Sequence, residues 1–244
     1  MRVRIDLLPR PVYHGELVVL IDILRSCTVA PVLFDGGLSR LTMCASLREA
    51  RKDAAGGKLL VGERAGVPPE GFNYGNSPSE LRRADLAGRE AVVVSDNAPK
   101  ALPALEGASE VLLASLYNAA AVASAVRSAA RERVSLVCSG YHGQEDLDDT
   151  MAAGFLAGEI SRLTGGVRFE GAARLAIGLL RAFPDPLEAL WHSTAGRTLR
   201  SHELAEDLAV ASMISQSDHV PRLVAIDAGR HSDLYRFESL SAAG

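Results

Sequence analysis

The chain has 244 residues, of which 48% are hydrophobic, and its formal net charge is −4. This length allows one large core or two small lobes, and the mild acidity without a basic, aromatic-rich stripe argues against a nucleic-acid surface. No apolar run is long enough to span a membrane, and the N-terminus lacks the apolar core of a signal peptide. Cys27, Cys44 and Cys138 are scattered without metal-ligand spacing. These features predict a cytoplasmic protein with reduced thiols and with neither a membrane nor a nucleic-acid partner.

Short apolar runs alternate with helical patterns over the first two thirds of the chain. Strands are predicted at residues 3–5, 17–21, 38–44, 59–61, 91–94, 110–114 and 134–138. Helices are predicted between and after them, at 26–34, 46–57, 79–84, 118–131 and 150–163. This alternation is typical of an α/β fold in which right-handed crossovers join parallel strands. We therefore predict a mostly parallel sheet that is covered by helices on both faces.

The pattern changes after Gly171. Two or three short helices are predicted around 172–182, 186–195 and 203–212, and a late strand is predicted at 223–226. No linker-like run separates this helical C-terminal portion from the rest, so a single domain over residues 1–244 is predicted. The shift at Gly165 and Gly166 leaves open a subdomain over 166–244.

The run from Leu17 to Thr28 carries the strongest local signal for a ligand site. Five apolar residues predict a strand buried on both faces, and Asp22 and Arg25 follow where open α/β sheets bind ligands. Asp22 can hold a hard cation or act as a base, and Arg25 offers a planar fork for phosphate or sulfonate. Ser26 or Thr28 is expected to cap the next helix. The alternative is that Asp22 caps the turn and Arg25 is a solvated charge.

Polar residues follow four of the predicted strands. They are Asp22 with Arg25, Glu63 with Arg64, Asp96 with Asn97, and the acidic segment 145–149. Because the carboxyl ends of parallel strands share one rim, these side chains are expected to converge in a crevice suited to Mg²⁺ and an oxyanion. Each has a structural alternative, since the 145–149 acids also suit a helix N-terminus and Asn97 suits a turn.

Several phosphatase and nucleotide chemistries are excluded by single positions. An aspartyl nucleophile of the haloacid dehalogenase kind requires a second acid two residues later, where this chain has Leu24. No cysteine is followed by an arginine at the spacing of a cysteine-phosphatase loop. The glycines at Gly62, Gly66, Gly71 and Gly75 fit neither a P-loop nor a dinucleotide fingerprint.

Several motifs occur together and in a recognisable order. They are residues 21–25 (Ile-Asp-Ile-Leu-Arg), 62–66 (Gly-Glu-Arg-Ala-Gly), 71–78 (Gly-Phe-Asn-Tyr-Gly-Asn-Ser-Pro), Asn97, Asn118, 147–149 with 153–154, 193–196 and 218–221. Together they resemble the 2-phosphosulfolactate phosphatase family. The resemblance implies a family-specific α/β topology and a Mg²⁺-dependent phosphatase. The implied reaction converts 2-phosphosulfolactate to sulfolactate and phosphate on the route to coenzyme M.

The residues and the resemblance together predict a phosphomonoesterase with a small anionic phosphorylated substrate, and they leave a homo-oligomer open. The catalytic residues are predicted to be Asp22, Arg25, Glu63 and Asp149. Of these, the three acids Asp22, Glu63 and Asp149 are expected to hold Mg²⁺. Substrate binding is assigned to Arg64, Asn76, Ser77, Asn97 and Lys100.

One loop departs from the family pattern. Where the family usually carries Thr-Asn-Gly-Thr-Arg, residues 96–100 are Asp-Asn-Ala-Pro-Lys. Proline removes a backbone donor and a hydroxyl, and lysine replaces a bidentate fork. The alternative function is therefore a non-catalytic or altered-specificity protein that binds an anionic metabolite on the same scaffold.

Overall fold

The computed structural model describes residues 1–240, which form ten strands and ten α-helices. The strands are β1 (Arg2–Asp6), β2 (Leu17–Ile21), β3 (Arg40–Cys44), β4 (Leu59–Gly62), β5 (Glu90–Val94), β6 (Glu110–Ala114), β7 (Arg133–Cys138), β8 (Arg168–Gly171), β9 (Val220–Asp227) and β10 (Leu234–Leu240). The helices are α1 (Ser26–Asp35), α2 (Leu47–Ala54), α3 (Pro78–Leu81), α4 (Ala98–Ala101), α5 (Ala119–Ala129), α6 (Leu147–Thr164), α7 (Ala173–Ala182), α8 (Pro186–His192), α9 (Thr194–Ser201) and α10 (Ala205–Ala211). None of these helices is long and apolar enough to cross a membrane.

All ten strands form one sheet in the order β4-β5-β3-β10-β9-β6-β2-β7-β1-β8. Six of its nine strand pairings are parallel, which confirms the predicted α/β fold. Strand β2 is buried along its whole length. Leu17, Val19 and Ile21 belong to one apolar cluster and Val18 and Leu20 to another, so packed side chains cover both faces of the sheet.

The sheet consists of two parallel blocks that run in opposite directions. The first block is β4, β5 and β3, and the second is β6, β2, β7, β1 and β8. The hairpin β9–β10 lies between them, and each of its outer pairings is antiparallel. The expectation of one shared rim was therefore wrong, because the hairpin reverses the strand direction between the blocks and its second strand, β10, was not predicted from the sequence.

The loops of the two blocks nevertheless meet. The Ala98 N–H donates to the carboxylate of Asp22 at 2.9 Å, and the His142 N–H donates to the Asn97 side chain at 3.2 Å. Asn97 and Ala98 follow the first block, whereas Asp22 and His142 follow the second. These two hydrogen bonds join the loop that follows β5 to the loops that follow β2 and β7.

The start of α1 differs from the prediction. The helix begins after Arg25 without a side-chain cap, and Pro31 lies inside it. The Thr28 hydroxyl does not cap the helix, because it donates to the Ile23 carbonyl at 2.8 Å. By contrast, Ser46 caps α2 as predicted, with its hydroxyl accepting from the Glu49 N–H.

Helix α6 begins at Leu147, three residues before the predicted start. The Asp146 carboxylate accepts from the Leu147 N–H and fixes this beginning. Asp148 and Asp149 therefore lie in the first helical turn, where backbone N–H groups favour negative charge.

Four elements were not predicted: β8, α4, β10 and the separate helix α9. Strands β8 and β10 are rich in charged and polar residues and lack a continuous apolar run. Ser193 ends the predicted helix 186–195 early, because its hydroxyl accepts from the Gly196 N–H and starts α9.

Candidate active site

The turn between β2 and α1 buries two residues of opposite charge, Asp22 and Arg25. Asp22 is 2% exposed and Arg25 is 4% exposed, so Arg25 is not the solvated surface charge of the alternative interpretation. The Arg25 Nη1 donates to the Asp207 carboxylate at 3.0 Å, and its Nη2 donates to the Gly66 carbonyl at 3.2 Å. The peptide bond between Leu24 and Arg25 is cis. The backbone and these bonds place Arg25 on the wall of a cavity.

Glu63 joins the loops that follow β4 and β5. Its Oε1 accepts from the Asp96 N–H at 2.9 Å, and its Oε2 accepts from the Gly66 N–H at 2.9 Å. Each oxygen keeps further lone pairs, and the side chain lines the same cavity as Arg25. The structure thus gives Glu63 a definite positioning task for two loops, and its predicted role toward a metal remains a prediction.

The acids at the start of α6 are fully enclosed. The Asp149 Oδ1 accepts from the Ile23 N–H at 2.9 Å, and its Oδ2 accepts from the Gly140 N–H at 3.1 Å and the Ser139 hydroxyl at 3.2 Å. The Asp148 Oδ1 is buried and has no hydrogen-bond partner within the described chain. An unpartnered buried carboxylate oxygen is costly, so this oxygen is suited to a hydrogen-bond donor or a cation.

Burial dominates the electrostatics of these acids. It raises the pKa of Asp22 to about 6, although the hydrogen bond from the Ala98 N–H lowers it. Burial and then the charge of Asp22 raise the pKa of Asp149 to about 8. Burial and the charge of Asp149 raise the pKa of Asp148 well above its usual range. Burial and the proximity of like charges therefore favour the protonated form of these three carboxyl groups, which titrate as one interacting set.

This donor set fits a hard divalent cation. The described residues contain no group of three or more ligating side chains in metal-binding geometry. Mg²⁺ does not require such a cage, because it is commonly held by one or two carboxylates with water and phosphate oxygens. Asp22 and Asp149 are the adjacent candidates, and a cation beside them would favour the ionised carboxylates over the protonated form that burial favours.

A small cavity lies beside these residues. Its volume is about 30 Å³, room for one or two water molecules. It is lined by Leu24, Arg25, Glu63, Ala65, Gly66, Asn76, Ser95, Asp96, Asn97, Tyr141, His142, Ala195, Thr198 and Leu199. A second depression of about 540 Å³ adjoins it, and Asp96, Asn97 and His142 line both. A ligand larger than phosphate can therefore extend from the small cavity into the larger depression.

The neutral residues predicted to bind substrate occupy different places. Asn76 lines the cavity, its Nδ2 donates to the Ser26 hydroxyl at 3.4 Å, and its buried Oδ1 has no partner within residues 1–240. Asn97 lines both spaces. Ser77 is not a lining residue, because its hydroxyl is directed to the Asp207 carboxylate at 2.6 Å.

The two predicted cationic residues meet at Asp96 instead of pointing into the small cavity. Arg64 lies 3.4 Å and Lys100 lies 3.1 Å from the Asp96 carboxylate. Arg64 also donates to the Ala45 carbonyl, and Lys100 lines the larger depression. Asp96 therefore offsets much of the positive charge that the sequence assigned to substrate binding.

Four residues of the site were not singled out from the sequence: Tyr141, His142, Thr198 and Asp207. The first two follow β7 directly, so their position at a strand end was an available signal. The Tyr141 hydroxyl donates to Thr198 at 3.1 Å and thereby connects α9 to the cavity. Thr198 lies two residues beyond the motif 193–196, whereas Asp207 lies in a helix without a recognisable motif.

Buried carboxylates beside a guanidinium, at the ends of parallel strands, suit the binding of a phosphate ester. Fold and site together define an α/β phosphatase. A family model described as 2-phosphosulpholactate phosphatase matches residues 4–225. The chain therefore belongs to the 2-phosphosulpholactate phosphatase family, and it is a phosphoric monoester hydrolase by that membership.

Individual relatives agree with the family model over nearly the whole chain. A probable 2-phosphosulfolactate phosphatase of Thermus thermophilus is 38% identical over 225 residues, covering 91% of this chain and 94% of the relative. One of Deinococcus radiodurans is 37% identical over 227 residues, covering 92% and 94%. One of Gloeobacter violaceus is 30% identical over 232 residues, covering 92% and 96%.

Proposed function

We propose that this phosphatase hydrolyses a small phosphorylated 2-hydroxy acid in a Mg²⁺-dependent reaction, with 2-phosphosulfolactate as the first candidate substrate. The observation that carries the proposal is that Arg25 lines a small cavity and shares the β2–α1 turn with the buried Asp22, while Ile23 of the same turn donates its N–H to the buried Asp149. The printed names of the relatives supply the candidate substrate. The products are then sulfolactate and inorganic phosphate.

Arg25 binds the phosphoryl group in this proposal. It is the only lysine or arginine among the residues that line the small cavity. Its guanidinium is held by Asp207 and Gly66, and the remaining N–H donors serve phosphate oxygens. Phosphoryl transfer depends mainly on positioning and charge neutralisation, so a fixed guanidinium is the principal contribution of this wall.

Asp22 and Asp149 would hold the Mg²⁺, and Glu63 is a third candidate ligand. When bound, the ion neutralises charge on the phosphoryl oxygens. The unpartnered oxygens of Asp148 and Asn76 can each accept a hydrogen bond. They are therefore suited to orient a water molecule for attack on phosphorus. The water oxygen bonds to phosphorus as the ester P–O bond breaks, and a proton from that water passes through solvent to the leaving alkoxide oxygen, which gives the free hydroxyl and inorganic phosphate.

The second anionic group of the substrate is assigned to the larger depression. Lys100 and His142 line this space, and Asn97 lies between it and the small cavity. A sulfonate or carboxylate accepts hydrogen bonds from such donors while the phosphate stays beside Arg25. The location in the cytoplasm, the place in coenzyme M biosynthesis and a homo-oligomeric state remain predictions.

Release of phosphate from 2-phosphosulfolactate by metal-stripped protein, with and without added Mg²⁺, tests the proposal. Turnover is expected only with the metal, and 2-phosphosulfolactate is expected to be preferred over phosphoglycolate. Full activity in chelator contradicts the metal requirement, and absence of turnover with every phosphorylated 2-hydroxy acid contradicts the substrate class.

The charge of Asp96 favours one alternative. Because Asp96 pairs with both Arg64 and Lys100, the protein could bind an anionic metabolite without turning it over efficiently. Calorimetric binding of 2-phosphosulfolactate in Mg²⁺ without phosphate release would support this second function.

A further inference from the structure

Asp207 is a completely buried acid in the C-terminal helix α10. It is 0% exposed and lies 182 positions from Arg25, the residue with which it forms an ion pair. Both partners are almost fully removed from water. An isolated buried arginine would be strongly disfavoured, so this carboxylate allows Arg25 to sit inside the protein.

The Asp207 carboxylate is held in one orientation. Its Oδ1 accepts from the Ser77 hydroxyl at 2.6 Å, the Ser79 hydroxyl at 2.7 Å and the Ser79 N–H at 3.3 Å. Its Oδ2 is left for the Arg25 Nη1 at 3.0 Å. The start of α3 thus fixes one oxygen, and the other oxygen fixes the guanidinium.

This arrangement determines how Arg25 presents its donors. The Gly66 carbonyl binds Nη2 from the loop after β4, so two acceptors from distant segments define the guanidinium plane. A planar fork binds an oxyanion bidentately only when its plane is correctly placed. Arg25 also lines the cavity, whereas Asp207 does not.

We propose that Asp207 is a positioning residue for phosphate binding, acting through Arg25 without touching the substrate. This inference rests on the proposed phosphatase function of the same cavity. It gives α10 a task in the reaction, and it explains why the motif residue Ser77 lies outside the cavity: Ser77 orients Asp207.

The primary test is Asp207→Asn, which keeps the side-chain volume and removes the charge. Glu16→Gln is the matched control, because Glu16 is 7% exposed and accepts from Arg4, Arg133 and Ser135 outside the cavity. In Asp207→Asn we expect kcat/KM for 2-phosphosulfolactate to fall and the inhibition constant of inorganic phosphate to rise, each by about tenfold or more. Glu16→Gln should lower the melting temperature and leave both constants unchanged.

A second arm separates positioning from general structural damage. In an Arg25→Gln background, Asp207→Asn should cause no further loss of kcat/KM, because the guanidinium it positions is gone. A structural defect would reduce kcat/KM by the same factor in both backgrounds. Ser79→Ala, which removes one donor to Asp207 and keeps the charge, should weaken phosphate inhibition in the same direction by about twofold to fivefold.

The results are decisive in each direction. Unchanged phosphate inhibition in a folded Asp207→Asn protein, or in Ser79→Ala if Asp207→Asn does not fold, overturns the positioning role. An equal loss in Glu16→Gln, or equal factors in both backgrounds, does the same. Absence of turnover in the parent protein overturns the proposed function itself, together with the inference that rests on it.

Discussion

The buried acids of this protein differ in whether positively charged side chains neutralise them. Glu16 accepts from Arg4 and Arg133 at 3.2 Å each, so arginines neutralise its charge. Asp22, Asp148 and Asp149 have no lysine or arginine among their hydrogen-bond partners in the described chain, and burial raises the pKa of each. The charge of Glu16 is thus neutralised within the polypeptide, whereas the three aspartates are suited to an added cation. The presence or absence of neutralising arginines thus distinguishes a structural cluster from a candidate active site.

Removing one of the three aspartate carboxylates is expected to have the largest effect. Asp22→Asn should lower kcat by about 10³-fold, because it removes a proposed Mg²⁺ ligand next to the phosphoryl group. Phosphate release from 2-phosphosulfolactate at saturating Mg²⁺ measures this. Glu16→Gln is the control and should retain parental kcat. Parental activity in Asp22→Asn would mean that this acid takes no part in the reaction.

The same control variant should show the second largest effect, but on stability. Glu16→Gln is expected to lower the free energy of unfolding by about 2 kcal/mol. This figure is less than for a fully buried pair, because the Arg4 and Arg133 side chains are 18% and 43% exposed. Urea unfolding of parent and variant measures the difference. An unchanged midpoint would show that the Glu16 cluster contributes no net stability.

The pH dependence of Mg²⁺ stabilisation sharpens the comparison further. Raised pKa values of Asp22 and Asp149, about 6 and about 8, stabilise the metal-free fold at acidic pH. That contribution is complete below the usual aspartate pKa and is lost as pH rises through these values. Mg²⁺ competes with protons for the carboxylates, so the rise in melting temperature that it causes should grow from about pH 5 to about pH 9. A pH-independent shift in scanning fluorimetry would contradict this, and Asp149→Asn should reduce the shift.

The smallest expected effect concerns Asp96. Asp96→Asn frees Arg64 and Lys100 from their shared partner, so we expect kcat/KM for 2-phosphosulfolactate relative to phenyl phosphate to rise by about threefold. Asp53→Asn is the matched control, since Asp53 also lies between a lysine and an arginine, Lys58 and Arg236, at 3.0 Å each. An unchanged ratio in Asp96→Asn would exclude these cations from recognition of the second anionic group.

The parts of the fold that were predictable have local signals. The five apolar residues of β2 and the Ser46 cap of α2 are short-range patterns, and both have the predicted structure. Strand β10 mixes charged, polar and apolar residues, so it lacks the continuous apolar run by which other strands were predicted. Without β10 the opposite directions of the two blocks could not be foreseen, because direction depends on pairings between distant segments.

The candidate site divides in the same way. Asp22, Arg25, Glu63 and Asp149 follow strands or begin a helix, and the structure brings all four to one region. Asp207 could not be found from the sequence, because its partner Arg25 is 182 residues away and no motif marks the helix that carries it. The pairing of Arg64 with Asp96 could not be predicted either, since it depends on a carboxylate in the neighbouring loop.

The position of the β9–β10 hairpin has a consequence during synthesis. The hairpin and α10 follow both blocks in the sequence, yet β10 pairs with β3, β9 pairs with β6, and Asp207 pairs with Arg25. The two blocks can each collapse before the hairpin is made, but their connection waits until β9 and β10 have left the ribosome. A nascent chain that is stalled before Val220 therefore cannot join its two blocks through β9 and β10.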